Sequence, residues 1–146
     1  MKKVFLGGTC NGSTWRNILI KDLRIDYFQP EMDEWTPEMM QEEINQREIC
    51  DFCLYVITPK MTGVYSIAEV VDDSNKRPGK TIFSFITEDD GQVFTEHQIK
   101  SLVQTGKMIK NNGAMYFKTF AEIIEFLSKQ KYKYAKLNLQ HRFHHH

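Results

Sequence analysis

Phe52-Cys53-Leu54-Tyr55-Val56-Ile57-Thr58-Pro59-Lys60-Met61-Thr62-Gly63-Val64-Tyr65-Ser66-Ile67-Ala68-Glu69-Val70-Val71-Asp72-Asp73 reads as a strand, a turn and a helix. The apolar run 52–57 has the length and composition of a buried strand. Thr58-Pro59 ends it, because proline cannot donate to a sheet ladder. Gly63 opens a tight turn. A helix follows, with Val64, Ile67, Ala68 and Val71 expected on an inward stripe at i, i+3, i+4, i+7. Glu69 then falls within the first two turns, near the carboxyl end of the preceding strand. Open α/β sheets bind ligands at that end. The helix macrodipole alone favours an early glutamate. Yet Glu69 is flanked by Ile67, Ala68, Val70 and Val71, and a charge in that setting needs a partner or a role.

The same alternation recurs on both sides. Val4-Phe5-Leu6 is a strand ended by Gly7-Gly8-Thr9, and Ser13 is the expected N-cap of a helix through Trp15, Ile18 and Leu19. Arg24 to Phe28 forms a second strand, stopped by Pro30. Thr36-Pro37 starts a helix with a capping threonine and proline at its first position. That helix should turn Met40, Ile44 and Arg47 toward strand 52–57. A fourth strand covers Thr81 to Ile86, followed by a turn at Glu88-Asp89-Asp90-Gly91. A helix from Thr95 to about Thr105 carries Ile99, Leu102 and Val103 inward. Asn111-Asn112-Gly113 signals a turn. A fifth strand spans 114–117, and a last helix from Phe120 carries Ile123, Ile124 and Leu127. Strand–helix units of this length imply right-handed crossovers and a mainly parallel five-stranded sheet. The expected fold is a flavodoxin-like or Rossmann-like three-layer α/β sandwich. With no repeat or linker, residues 1–131 read as one domain. Residues 132–146 read as an aromatic and basic tail, whose His144-His145-His146 is consistent with an expression-tag stub.

The 146 residues carry 19 Lys+Arg against 19 Asp+Glu, so nothing marks the chain electrostatically for nucleic acid or acidic membrane. Lys129-Gln130-Lys131-Tyr132-Lys133 is the one local basic run, most simply a solvated helix end. Cys10, Cys50 and Cys53 are too few and odd in number for a disulfide framework. Cys50-Asp51-Phe52-Cys53 has the C-x-x-C form but enters a strand, whereas the redox motif opens a helix. No second ligand pair follows for zinc, and no metal is expected. No apolar run is long enough for a leader or a membrane span, so a cytoplasmic location is expected.

Four other groups are candidates. Gly7-Gly8-Thr9-Cys10-Asn11-Gly12-Ser13 has the glycines of a phosphate cradle ahead of a helix, or of a plain tight turn. It matches neither the Walker pattern nor G-x-G-x-x-G. Asp33-Glu34-Trp35 sits after the second strand, where a tryptophan can stack on a base while acids bond ring edges or sugar hydroxyls. The alternative is a helix-entry loop. Asp51 precedes its strand and reads as a turn residue. Asp72 and Asp73 lie one turn after Glu69. Asp73 at i+4 either shares its face and raises its pKa or belongs to a solvated face.

The first strand ending in Gly7-Gly8, the third strand headed by Asp51, and Gly63-Val64-Tyr65-Ser66-Ile67-Ala68-Glu69 together resemble the nucleoside 2-deoxyribosyltransferase family. The closer resemblance is to its deoxyribosyltransferase-like branch, where Trp35-Thr36-Pro37-Glu38 also fits, over roughly residues 2–130. The well-known enzymes carry a Gly-Thr-x-x-Glu-Leu-Gly-like pattern where this chain has Tyr65-Ser66-Ile67-Ala68-Glu69-Val70-Val71. They also carry an aspartate after the third strand, where this chain has Thr58-Pro59-Lys60-Met61-Thr62. The resemblance implies a five-stranded parallel sandwich and homo-oligomers whose sites a neighbouring subunit completes. It implies Glu69 as nucleophile toward the anomeric carbon of a nucleoside or nucleotide, without a cofactor. Asp33 or Glu34 is the expected proton donor to the leaving base. Trp35 is an expected base-stacking residue. Tyr65 and Ser66 would support Glu69 or bond a sugar hydroxyl, with Gly7, Gly8, Thr9 and Gly63 lining the sugar or phosphate end. Two other outcomes fit the same residues: an N-glycosidase acting on nucleoside 5′-monophosphates, and a non-catalytic nucleotide-binding module. An FMN protein would fit the fold alone.

Overall fold

A computed structural model of the chain describes residues 1–30 and 36–130. Asp33, Glu34, Trp35 and the tail from Tyr132 lie outside the described residues. The elements in order are β1 (Lys3–Gly8), α1 (Trp15–Ile20), β2 (Asp26–Phe28), α2 (Pro37–Ile49), β3 (Phe52–Ile57), α3 (Tyr65–Lys76), β4 (Thr81–Phe85), β5 (Glu88–Asp89), β6 (Gln92–Val93), α4 (Glu96–Asn111), β7 (Met115–Tyr116) and α5 (Phe120–Gln130). The main sheet runs β2-β1-β3-β4-β7, with every pairing parallel. This is the flavodoxin-like order, in which the chain reverses direction across the sheet between β1 and β3.

Side-chain alternation along the central strands separates two cores. Val4, Leu6, Leu54, Val56 and Ile82 face α1 and α5, where they meet Trp15, Leu19, Ile123 and Leu127. Phe5, Cys53, Tyr55, Ile57 and Phe83 face the other way, against Val70 of α3 and Leu102 and Ile109 of α4. β3 is buried over its whole length, as a central strand covered on both faces must be. The sandwich therefore has three layers.

Several local expectations change. Thr36 caps α2 as expected, its Oγ1 accepting from the Met39 N–H at 3.2 Å. Thr14 stands at the N-cap position of α1 with no side-chain bond; Ser13, one residue earlier, accepts from the Trp15 N–H at 3.4 Å while its hydroxyl donates to Asp89 Oδ2 at 2.6 Å. Met40 and Ile44 of α2 point to solvent, while Gln46 is buried. This helix packs through polar side chains, so its few apolar residues do not mark the inner face. On α3, Val64 and Ala68 are exposed and the inner positions are Ile67, Val70, Val71, Asp73 and Ser74. Val64 is the residue before the helix, so it lies off the stripe. The turn at 88–91 is an antiparallel hairpin of β5 and β6, turned through Asp90 and Gly91 at positive φ. α4 continues past Thr105 to Asn111, beginning in a Thr95/Gln98 capping box. Among the described residues no helix is long and apolar enough to cross a membrane.

Candidate functional site

The carboxyl ends of β1 and β3 diverge into the β1–α1 loop and the turn before α3. Gly8 holds the first divergence: its φ is +109°, and a Cβ there would stand 2.2 Å from the Val56 carbonyl oxygen. Only glycine permits that approach. Thr9 then bonds across to β3, its N–H donating to the Val56 carbonyl at 2.9 Å. Its Oγ1 accepts from the Thr58 N–H at 2.9 Å. Asn11 and Gly12, both at positive φ, form the tip of a tight turn closed by the Ser13 N–H on the Cys10 carbonyl.

Arg16, the second residue of α1, fixes this loop from inside. Its Nε, Nη1 and Nη2 donate to the carbonyls of Leu6, Thr9 and Gly8 at 3.0, 2.8 and 3.3 Å. The guanidinium lies over the Trp15 ring, 4.5 Å from its centroid, and Trp15 Nε1 adds a 2.8 Å bond to the Thr9 carbonyl. Burial lowers the Arg16 pKa to about 10, partly opposed by Cys10 and Glu43, so the group stays charged at neutral pH. Sequence reasoning missed this arginine, whose role depends on carbonyls that only the folded loop brings together.

The cleft beside the loop has a volume of about 230 Å³. Gly7, Gly8, Cys10 and Arg16 form one wall, and Tyr65, Ser66 and Glu69 of α3 form the other. Phe5, Pro30 and Glu43 complete it. A second lobe of about 170 Å³ shares Gly8, Cys10, Tyr65 and Ser66 and continues past Thr9, Asn11, Thr62 and Gly63. The structure thus brings together Glu69, Gly7, Gly8, Thr9, Gly63, Tyr65 and Ser66. Tyr65 is largely exposed at the mouth.

Thr9 is buried with its hydroxyl oxygen committed to β3, so its part is chiefly to shape the wall. Side chains tie the tip of the loop 7–13 to the turn before α3. Asn11 Nδ2 donates to the Lys60 carbonyl and Thr62 Oγ1, both at 3.0 Å. Lys60 Nζ pairs with Asp90 at 3.0 Å. α1 has only six residues.

Glu69 is mostly buried, and Arg47 Nη1 of α2 reaches its Oε2 at 3.1 Å. Burial raises the Glu69 pKa; Arg47 opposes this, while Glu43 and Asp73 add to it. The net direction is upward despite the adjacent guanidinium. Arg47 is shared: its Nη2 also pairs with Asp73 Oδ1 at 2.9 Å. Asp73 is fully buried and accepts the Tyr55 hydroxyl through Oδ2. Asp73 is therefore an interior anchor, not part of a solvated face. Burial alone would lower the Arg47 pKa, but Tyr55, Asp73 and Glu69 together raise it. Sequence reasoning placed Arg47 toward β3 without finding either partner.

Asp51 sits at the opposite edge, where its Oδ2 accepts from the Lys3 N–H at 2.8 Å, in keeping with a turn role. Cys50 and Cys53 are buried, and burial pushes the Cys53 thiol up to about 12. Among the described residues no group of three His, Cys, Asp or Glu side chains is placed to hold a metal ion.

No curated protein and no solved structure matches the chain. Residues 1–88, from β1 through α3 and β4 to the start of the hairpin, match the family described as nucleoside 2-deoxyribosyltransferase like. That stretch is well over half of the 146 residues and contains every described member of the cleft. The chain belongs to the nucleoside 2-deoxyribosyltransferase-like family.

Proposed function

We propose that the protein transfers a sugar between bases, acting on a nucleoside or nucleotide through a covalent glycosyl-Glu69 intermediate. The observation that carries this reading is the Glu69 carboxylate, mostly buried in a cleft at the β1/β3 divergence and facing Gly7-Gly8. The family description supports the same chemistry.

A Glu69 oxygen forms a bond to the anomeric carbon as the bond from that carbon to the base nitrogen breaks. The electron pair leaves with the base, which takes up a proton. Asp33 or Glu34 is the donor in this reading. Charge at the sugar passes through an oxocarbenium-like state, which a nearby carboxylate stabilises. A nitrogen of a second base then attacks the same carbon, giving its proton back to the carboxylate that protonated the first base, and the Glu69 carboxylate leaves. A pKa raised by burial makes Glu69 a more basic, hence stronger, nucleophile once ionised. Ser66 and Tyr65 would orient the sugar, and Trp35 would stack on the base.

The test is incubation with a deoxynucleoside and a second free base. Base exchange is the expected outcome. Free sugar or sugar phosphate instead would establish a hydrolase. Glu69→Gln should lower exchange by about 10³-fold or more without unfolding the protein. Ligand binding unchanged by Glu69→Gln, with no turnover by the unaltered protein, would leave a non-catalytic binding module.

A further inference from the structure

Arg47 is an expensive residue to bury. Its Nη1 and Nη2 bond two different carboxylates of α3, Glu69 and Asp73. Its Nε is buried with no hydrogen-bond partner among the described residues. A buried guanidinium left partly unsatisfied is a poor source of stability, since an apolar side chain could fill the same space at lower cost.

The surroundings nevertheless hold it rigidly. The Arg47 carbonyl accepts from Cys53 Sγ, Arg77 Nη1 and Lys80 Nζ. Lys80 Nζ also takes the carbonyls of Glu48 and Cys50, each at 2.8 Å, completing the carboxyl end of α2. Asp73 takes the second arm of the guanidinium and is itself fixed by Tyr55.

We propose that Arg47, clamped by Asp73 and Tyr55, is a positioning residue that holds the Glu69 carboxylate through Oε2 and directs Oε1 at the anomeric carbon. This rests on the reading of Glu69 as nucleophile. The division of charge matters. Asp73 neutralises Arg47, so the guanidinium fixes the direction of Glu69 without quenching it. When the glycosyl ester forms and Glu69 loses its charge, Arg47 keeps Asp73 as its counterion. No buried charge is stranded at either stage.

The groups facing Glu69 are Arg47 and Glu43 from α2, and Asp73 from its own helix. Arg16, Cys10 and Tyr65 border the same cleft, and Asp72 borders the hollow behind it. Of these, Arg47 is the one cation in contact with the carboxylate among the described residues.

The experiment is the pH profile of base exchange, thymidine with free adenine, for the unaltered protein, Arg47→Gln and Arg47→Lys. Arg47→Gln is expected to lower kcat about 10²-fold, leave KM within about threefold, and move the acidic limb to higher pH. Arg47→Lys, which keeps the charge without the two-armed geometry, should recover about tenfold of kcat. A melting curve establishes that each variant is folded. If Arg47→Gln does not fold, Tyr55→Phe serves instead, with the same direction of change and smaller size. A folded Arg47→Gln protein with unchanged kcat and an unmoved acidic limb overturns the proposal. If the unaltered protein exchanges no base, the proposed function is what fails. The titration of the Glu69 carboxyl by carbon-13 NMR in the unaltered and Arg47→Gln proteins then decides the Arg47–Glu69 coupling. A higher pKa in the variant supports it, and an unchanged one overturns it.

Discussion

The ring of Tyr55 occupies the space that a side chain at Gly7 would fill. A Cβ on Gly7 would stand 2.8 Å from both Cδ1 and Cε1 of that ring. The same ring carries the hydroxyl that fixes Asp73, and Asp73 fixes Arg47. A residue on one wall of the cleft is thus mechanically linked to the carboxylate on the other. Gly7→Ala should destabilise the fold by about 1–3 kcal/mol, the usual cost of overpacking a tight core. It should also depress base exchange by more than that loss of folded protein explains. Urea unfolding beside kcat at a denaturant-free pH measures both. Equal activity per folded molecule would break the link.

Among the described residues Arg16 makes three bonds to backbone carbonyls, those of Leu6, Gly8 and Thr9. Arg16→Met leaves those carbonyls to find other donors in a buried setting. A loss of about 2–4 kcal/mol is expected. Arg16→Lys should recover little, because an ammonium cannot reproduce the planar fork. Chemical denaturation of the three proteins checks the order unaltered, then lysine, then methionine.

Glu69 gives a pH dependence of known sign. Burial raises its folded pKa above the ordinary 4.5. Between 4.5 and the raised value the native state keeps a proton that the unfolded chain has lost. The stability this group contributes is therefore present below pH 4.5 and is lost as pH rises through the folded pKa. Glu69→Gln has no such loss, and Arg47 keeps Asp73 as partner. Melting midpoints measured from pH 4 to pH 7 should diverge in favour of Glu69→Gln as pH rises. A gap that narrows with pH contradicts the assignment.

Cys10 is exposed and borders both lobes of the cleft, while Cys50 and Cys53 are buried. Burial raises both buried thiols, Cys53 to about 12, which suppresses the reactive thiolate. A thiol reagent should label one cysteine in the native protein and three in denaturant. A bound nucleoside should slow the native labelling several-fold. Peptide mapping identifies the site, and label on Cys53 before unfolding would contradict the packing.

The sheet was legible because β1, β3 and β4 are short apolar runs separated by helices of ordinary length. Parallel pairing follows from that alternation alone. Glu69 was legible because a carboxylate inside an apolar helix face is out of place unless paired or used. The inner face of α2 was not. Its apolar Met40 and Ile44 are exposed, and its contact with the rest of the protein runs through Gln46 and Arg47. A hydrophobic period cannot report packing made by polar side chains. Of the two readings of Asp73, its upward push on Glu69 holds and the solvated face does not; its burial was not legible locally because its partners are 18 and 26 residues away. The Ser13–Asp89 bond spans 76 residues and could not be seen locally.

The register of β1 on β3, with Gly8 opposite Val56, has a consequence for how the protein is made. These two strands are adjacent in space but separated in sequence by all of α1, β2 and α2. Docking them requires closing a long loop, a slow and cooperative step. The same docking sets Gly7 and Gly8 across from Glu69. A partly folded chain with the first strand undocked therefore has no cleft, and competence to bind arises in one event with the central sheet itself.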